Sequence, residues 1–396
     1  KAGQTYDYLQ HRFLVIRNNT VGSIDSSFAN GGANVLTISA SDDEAFAVSI
    51  QTDGKIILKG ESYLNGGFSY RVALARFTLK GIADKSFGTN GIVTTNIASG
   101  ADVAKDVVVQ TDGKIVVGGY TAAIASGETD ALCMRYNSNG SIDSSFNKTG
   151  NVVVDIAGQN DVINNVIVQP DNKILLGGYA NSSENVSAFL TVRLLQNGHM
   201  NNNYASGGIQ TTTLFQQGDA AYGMSLLLNG KILLAGQTTS GASNYISLVR
   251  YKRNGTIDSS FKNNGVGFTG IGSSDDIAFK MLRSPWDKSL FVAGVANGYW
   301  VIAKYNSSNI TLDSSFGLNG IVSVNYKINN DPDDEPVLGI DPQNKQIYLC
   351  GYTGGKVTIV RFNDHGVQDN SFGKKGASTY NLSLFYGGFG IEKDGK

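Results

Sequence analysis

One short marker returns along this chain at nearly constant spacing, and it constrains the fold more than any other feature. It stands as Asp25-Ser26-Ser27-Phe28, Asp84-Lys85-Ser86-Phe87, Asp143-Ser144-Ser145-Phe146, Asp258-Ser259-Ser260-Phe261, Asp313-Ser314-Ser315-Phe316 and Asp369-Asn370-Ser371-Phe372, with a degenerate copy at Asn201-Asn202-Asn203-Tyr204. The aromatic positions are 59, 59, 58, 57, 55 and 56 residues apart. Self-similarity at a fixed period means that each unit buries its apolar face against its neighbours, so the fold is an array.

Two further markers keep step. Turn residues lead into a lysine at Asp53-Gly54-Lys55, Asp112-Gly113-Lys114, Asp171-Asn172-Lys173, Asn229-Gly230-Lys231, Trp286-Asp287-Lys288, Gln343-Asn344-Lys345 and Asp394-Gly395-Lys396. Asp-Gly and Asn-Gly between apolar runs are strong hairpin signals, because both residues tolerate positive φ. A basic residue precedes each aromatic by 11 or 12 positions: Arg17, Arg76, Arg135, Arg193, Arg250, Lys304 and Arg361.

Between markers, each unit reads as four short strands. In the unit 88–146 these are Gly91–Asn96, Val103–Gln110, Lys114–Tyr120 and Ala131–Tyr136, all β-branched-rich runs bounded by Gly, Asn or Asp. Four strands per unit of this length predict an all-β, seven-bladed β-propeller of four-stranded blades; a β-solenoid is the rival. The units run 29–87, 88–146, 147–204, 205–261, 262–316 and 317–372, and 373–396 joins 1–28, in a single domain over 1–396. The two ends together make 52 residues, a few short of a unit, and Lys1-Ala2-Gly3 matches the end of the strand that Lys396 begins. The reading therefore has the termini sharing one blade and closing the ring, with two or three strand residues missing from the sequence, whereas a solenoid predicts distant, capped ends.

Composition excludes several classes. Charged residues are 16% of the 396, with net charge -1, which is unsuited to a nucleic-acid binder driven by phosphate contacts. Gly numbers 49 and Pro 5, which suits tight turns between strands. No run is long and apolar enough for a transmembrane helix, and the first residues carry no leader pattern, so any signal peptide is expected to have been removed. Cys133 and Cys350 read as buried free thiols, leaving the redox compartment open. His11, His199 and His365 lie in unrelated phases without metal-ligand spacing. A phosphate loop and a Gly-x-Ser-x-Gly elbow are missing, and Gly265–Gly270 matches a dinucleotide fingerprint only in a strand phase. No catalytic residue is assigned.

The marker aromatics Phe28, Phe87, Phe146, Tyr204, Phe261, Phe316 and Phe372 are expected to wedge between blades. The basic residue is expected to pair with the marker Asp of its own unit eight positions on, as Arg17 with Asp25 and Arg135 with Asp143, in a bidentate Arg–carboxylate bond with a structural role; the functional alternative is a ring of arginines gripping an anion. A further carboxylate recurs 12 residues before the turn lysine, at Asp43, Asp102, Asp161, Asp219, Asp276 and Asp333, with Leu384 in the seventh unit. These acids either satisfy loop amides in their own blades or rim the central channel and hold a structural cation there; no other cofactor is expected. Tyr120, Tyr179 and Tyr352 recur after Gly, a pattern that also suits sugar stacking. Nine Asn-x-Ser/Thr triplets follow from an Asn/Ser-rich composition.

The pattern Asn-Gly-x-x-Asp-x-Ser-Phe-Gly, carried by Asn139–Phe146 and Asp369–Gly373, resembles the bacterial delta-sixty repeat, as does Gln110–Gly119. The resemblance spans essentially the whole chain, with departures at Asn201–Tyr204 and in the acidic stretch Asp331–Pro336. It implies a propeller-like domain of secreted or surface-associated bacterial proteins and supplies no catalytic residues. The function expected is a non-enzymatic extracellular or cell-surface scaffold that binds a protein partner or self-assembles. The alternatives are a carbohydrate-binding propeller and an enzyme with a site at the channel mouth.

Overall fold

A computed structural model of the chain describes residues 11–63, 69–122, 127–182, 186–215, 218–241, 243–272, 275–328, 335–381, 388–392 and 394–396. Among them every regular element is a strand. β1 (Phe13–Ile16) and β2 (Ala33–Leu36) form a two-stranded sheet. Six four-stranded antiparallel sheets follow. Blade one holds β3 (Asp43–Ile50), β4 (Ile56–Tyr63), β5 (Tyr70–Phe77) and β6 (Ile92–Thr95). Blade two holds β7 (Asp102–Val109), β8 (Ile115–Ala122), β9 (Thr129–Tyr136) and β10 (Asn151–Val154). Blade three holds β11 (Asp161–Val168), β12 (Ile174–Asn181), β13 (Ser187–Leu194) and β14 (Ile209–Thr212). Blade four holds β15 (Ala220–Leu226), β16 (Ile232–Ser240), β17 (Ser243–Tyr251) and β18 (Val266–Thr269). Blade five holds β19 (Ile277–Arg283), β20 (Leu290–Ala296), β21 (Tyr299–Tyr305) and β22 (Ile321–Lys327), and blade six β23 (Val337–Asp341), β24 (Gln346–Thr353), β25 (Lys356–Phe362) and β26 (Ala377–Tyr380). The architecture is a β-propeller.

One expectation needs correction. Blades are offset from the sequence units: Ile92–Thr95 pairs with Val72–Ala75 of the preceding unit rather than opening a sheet of its own. The marker loop is a tight reversal that lays the following strand back onto the strand before it, while the longer connection to the next inner strand crosses between blades. Seven four-stranded sheets were expected; six are four-stranded, and the first has two strands among the described residues. The strand expected from Lys1-Ala2-Gly3 lies outside the described residues.

The second and third strands carry most of the core because each is covered on both faces by neighbouring blades, and their apolar residues are buried along almost their whole length. The inner strands carry a β-bulge at equivalent places, between Ala45/Ala47, Ala104/Asp106, Ile163/Asn165, Ala221/Gly223 and Ala278/Lys280. The in-phase glycine of the second strand sits opposite. A Cβ on Gly119 would stand 1.9 Å from the Val103 carbonyl, so no larger residue fits.

Each marker aromatic is buried, and all but Phe261 lie beneath a turn glycine of the next unit: Gly81, Gly140, Gly198, Gly255, Gly366 and Gly22. Gly140, at φ +87°, leaves no room for a Cβ, which would fall 2.9 Å from the Phe87 ring. Gly22 meets Phe372 in the same way at 2.8 Å, so the first marker loop packs on blade six. A backbone bond repeats the relation: Gly88 N–H donates to the Asn139 carbonyl (2.8 Å), and Gly373 N–H donates to the Val21 carbonyl (2.8 Å). Gly388 abuts Ala47 and Val48 of β3, and Phe389 lies against Gly339 of β23, so this C-terminal segment stands between the inner strands of blades one and six.

Candidate functional site

Alternation of strand direction gives the propeller two faces. The marker loops and turn lysines share one; the openings of the inner strands and the loops between second and third strands share the other.

On the marker face the repeated charges meet. Arg135 Nε donates to Asp143 Oδ2 at 2.6 Å, Nη1 donates to the Gln196 carbonyl of the next unit, and the guanidinium lies 4.5 Å from the Phe146 centroid. Lys114 Nζ reaches the same Oδ2 at 2.7 Å. The pairing eight residues apart repeats as Arg17–Asp25 (3.1 Å), Arg76–Asp84 (2.8 Å), Arg250–Asp258 (2.7 Å) and Arg361–Asp369 (3.0 Å), and Lys304 reaches Asp313, nine residues on, at 3.0 Å. It uses a single carboxylate oxygen rather than a two-oxygen fork, because Oδ1 is taken by the serine two residues on; in Asp143 that oxygen accepts from the Ser145 hydroxyl at 2.6 Å. Burial pushes the Asp84, Asp143 and Asp258 carboxyls up, but bonds from these serines, lysines and arginines outweigh it and hold all three well below the usual carboxylate range. The cation over the marker aromatic recurs for Arg17, Arg76, Arg193, Arg250 and Arg361. Lys304 instead lies over Phe291.

The unit 147–204 departs. Asn201 replaces the carboxylate, Arg193 Nε is buried without a hydrogen-bond partner, and Lys173 turns back to Asp171 of its own turn.

On the opposite face Asp43, Asp102, Asp161, Asp219 and Asp276 open or immediately precede the inner strands and are buried. Each accepts the amide five residues earlier: Ile38 to Asp43 (2.8 Å), Ile97 to Asp102 (2.5 Å), Ile156 to Asp161 (2.5 Å), Leu214 to Asp219 (2.5 Å) and Ile271 to Asp276 (2.6 Å). These bonds pin the connection that brings the chain from one blade to the next. Burial raises the Asp102 and Asp219 carboxyls. Asp333 and Leu384 lie outside the described residues.

The axis itself is lined by residues that the repeat markers did not single out. Phe46, Lys105, Asn164, Tyr222 and Phe279 are the bulged residues, each three positions after a rim aspartate. That phase was legible, but the residue type varies and so hid it. Tyr222 and Phe279 touch at 5.8 Å between centroids, and Lys105 Nζ lies 4.8 Å from the Phe46 centroid. Asp106 Oδ1 lies 3.9 Å from Lys280 Nζ, joining the inner strands of blades two and five, which are not neighbours, across the middle of the propeller. Lys59 is fully buried and donates to the Ala104 carbonyl at 2.9 Å; burial lowers its ammonium well below the ordinary range. Tyr120, Tyr179 and Tyr352 are half-buried in the second strands rather than displayed on loops.

Four segments, residues 51–87, 110–146, 169–203 and 228–261, match a domain of unknown function (DUF5122) described as a β-propeller. No curated protein matches the sequence. Among solved structures, the periplasmic gluconolactonase PpgL of Pseudomonas aeruginosa is similar in fold, with 12% identity, 93% of this chain and 98% of that chain covered, and a TM-score of 0.54. The WD40 domain of Toxoplasma gondii coronin aligns at 9% identity over 94% of this chain and 77% of that chain, with a TM-score of 0.50. At such identities the likeness concerns fold alone, and with the repeats and the sheets it places this chain among the β-propellers built from tandem repeats.

Proposed function

We propose that this chain is a non-enzymatic scaffold of the cell surface or extracellular space, a seven-bladed ring that contacts a protein partner, or further copies of itself, through its marker face. One observation carries this reading. Seven large apolar side chains are more than half exposed among the described residues, and six of them, Val21, Leu79, Ile82, Leu228, Leu318 and Val367, lie in the marker loops and hairpin turns of that one face. Exposed apolar side chains gathered on one face mark protein contact. The repeated charges beneath are spent on bonds between strands and units, so they hold the loops still rather than offering a reactive group. The segment at 388–392, β1 and β2 contribute to the seventh blade and so bring the two ends of the array together; Arg17–Glu392 (3.3 Å) supports this arrangement.

Chemical cross-linking in the source cells, read by mass spectrometry, tests the proposal. Links are expected from Lys80, Lys252 and Lys374, and sedimentation of Ile82→Asp and Leu318→Asp chains should show loss of any self-association. Links confined to the opposite face, turnover of a substrate or retention on a glycan array would overturn it.

A further inference from the structure

Three carboxylates meet at the crossing from blade two to blade three, on the face opposite the marker loops. Asp130 stands near the start of β9, Asp155 just past β10, and Asp161 opens β11; one oxygen of each lies within 4.8 Å of the others. No ion pair compensates any of the three among the described residues. A second and independent feature is that Asp161, fully buried, accepts the Ile156 amide with Oδ2 but has no donor at Oδ1.

The equivalent aspartates show why this oxygen is left over. Asp102 and Asp219 each receive a threonine hydroxyl on Oδ1, from Thr121 and Thr238 on the facing second strand. In blade three the register places Ala180 opposite Asp161, and alanine brings no hydroxyl. Blade five also has alanine, Ala296, in this place, but there the Gly272 amide supplies Asp276 Oδ1 at 3.1 Å. The nearby Asn181 amide donates instead to the Asn160 carbonyl at 2.9 Å. Blade three alone among the five described copies therefore combines an orphaned buried oxygen with two added carboxylates. A buried carboxylate oxygen without a partner is costly, and three adjoining carboxylates repel one another. Burial first, then the charges of Asp155 and Asp130, push the Asp161 carboxyl up to about 7.

We propose that Asp130, Asp155 and Asp161 hold one calcium ion. The donors are all hard oxygens, and ligands about 2.3–2.6 Å from one calcium ion lie no more than about 5 Å apart, which matches the cluster. Asp155 is exposed and Asp130 half-buried, so the ion has an entry path, and water completes its shell. Magnesium demands a stricter octahedron and gives up its water reluctantly, which disfavours it at this crossing of two strand ends and a loop. The ion would fasten blade two to blade three and supply the charge that the threonine hydroxyl cannot.

The test uses the full chain after exhaustive chelation, titrated with calcium chloride by calorimetry, with thermal unfolding in parallel. One calcium per chain and a rise in melting temperature are expected, with magnesium at least tenfold weaker. Asp155→Asn and Asp130→Asn, whose side chains are not fully buried, should each weaken calcium binding at least tenfold while leaving the calcium-free circular dichroism spectrum unchanged. Ala180→Thr, which restores the hydroxyl of the other blades, should weaken it several-fold in a stable protein. Absence of calcium binding at millimolar concentration, equal or tighter binding of magnesium, or binding indifferent to Asp155→Asn and Asp130→Asn would overturn the assignment.

Discussion

Lys396 Nζ lies 3.5 Å from Asp25 Oδ2, so residues near opposite ends of the chain make the contact that Lys55 and Asp84 (3.1 Å) or Lys231 and Asp258 (2.7 Å) make within one unit. The turn before Lys396 is built like the internal ones: the Glu392 amide donates to the Lys396 carbonyl (2.7 Å) just as Gln51 donates to Lys55 (2.8 Å). Gly22 on Phe372 and the Phe389 ring stacked on Tyr348 at 5.4 Å extend the same joint.

A chain shortened by residues 388–396 should therefore melt markedly earlier and enter aggregates, because the inner strands of blades one and six lose the segment between them. Differential scanning calorimetry with size-exclusion chromatography reads both effects; an unchanged melting temperature would refute the closed joint.

Acid should unfold the protein through the marker carboxylates. The Ser27 hydroxyl, helped by the Ser27 amide and Arg17, holds Asp25 down to about 2 against the opposing effect of burial, and Asp84, Asp143 and Asp258 are held below the usual range as described. A carboxyl depressed in the folded state contributes stability that is complete above its unfolded value of about 4 and is lost as pH falls through the folded value. Stability should thus decline steeply below about pH 4, measured by urea unfolding at successive pH values. Asp161 has the opposite sign: raised to about 7, it contributes fully below about 4 and loses that contribution as pH rises through 7. Without calcium, Asp161→Asn should flatten the dependence between those limits.

Asn201→Asp should stabilise the protein. The new carboxylate would stand below Arg193 Nε, now unpartnered, and within the phase from which Lys173 has turned away. Hydrogen bonds to charged groups contribute about 1.5–3 kcal/mol, so a gain of about 1–2 kcal/mol is expected by chemical denaturation.

Cys133 and Cys350 should resist thiol reagents in the native state. Both are buried, and burial pushes each thiol up to about 12, leaving almost no thiolate at neutral pH. Ellman's reagent should find no reactive thiol before unfolding and two afterwards.

Much of this was legible in the residues. Asp112-Gly113 and its copies announced the hairpins, and the fixed step from Arg135 to Asp143 announced a bond that the structure draws at 2.6 Å. The offset of blades from units was hidden, since Ile92–Thr95 reads as a strand in either sheet and only the marker reversal decides its partner. The Asp130–Asp155–Asp161 cluster was hidden for a related reason: two of its members fall out of phase, and Ala180 is conspicuous only once it is known to face Asp161.

The sequence by itself determined the number of units, the strand and turn content, and the residues every unit shares, because periodic spacing reports whatever each copy must repeat. Tertiary structure alone decided which strands share a sheet, that Asp106 meets Lys280 across the axis, and which copy of the rim aspartate is left without a donor. Those relations join non-equivalent positions, and curvature of the array, rather than distance along the chain, brings such positions together.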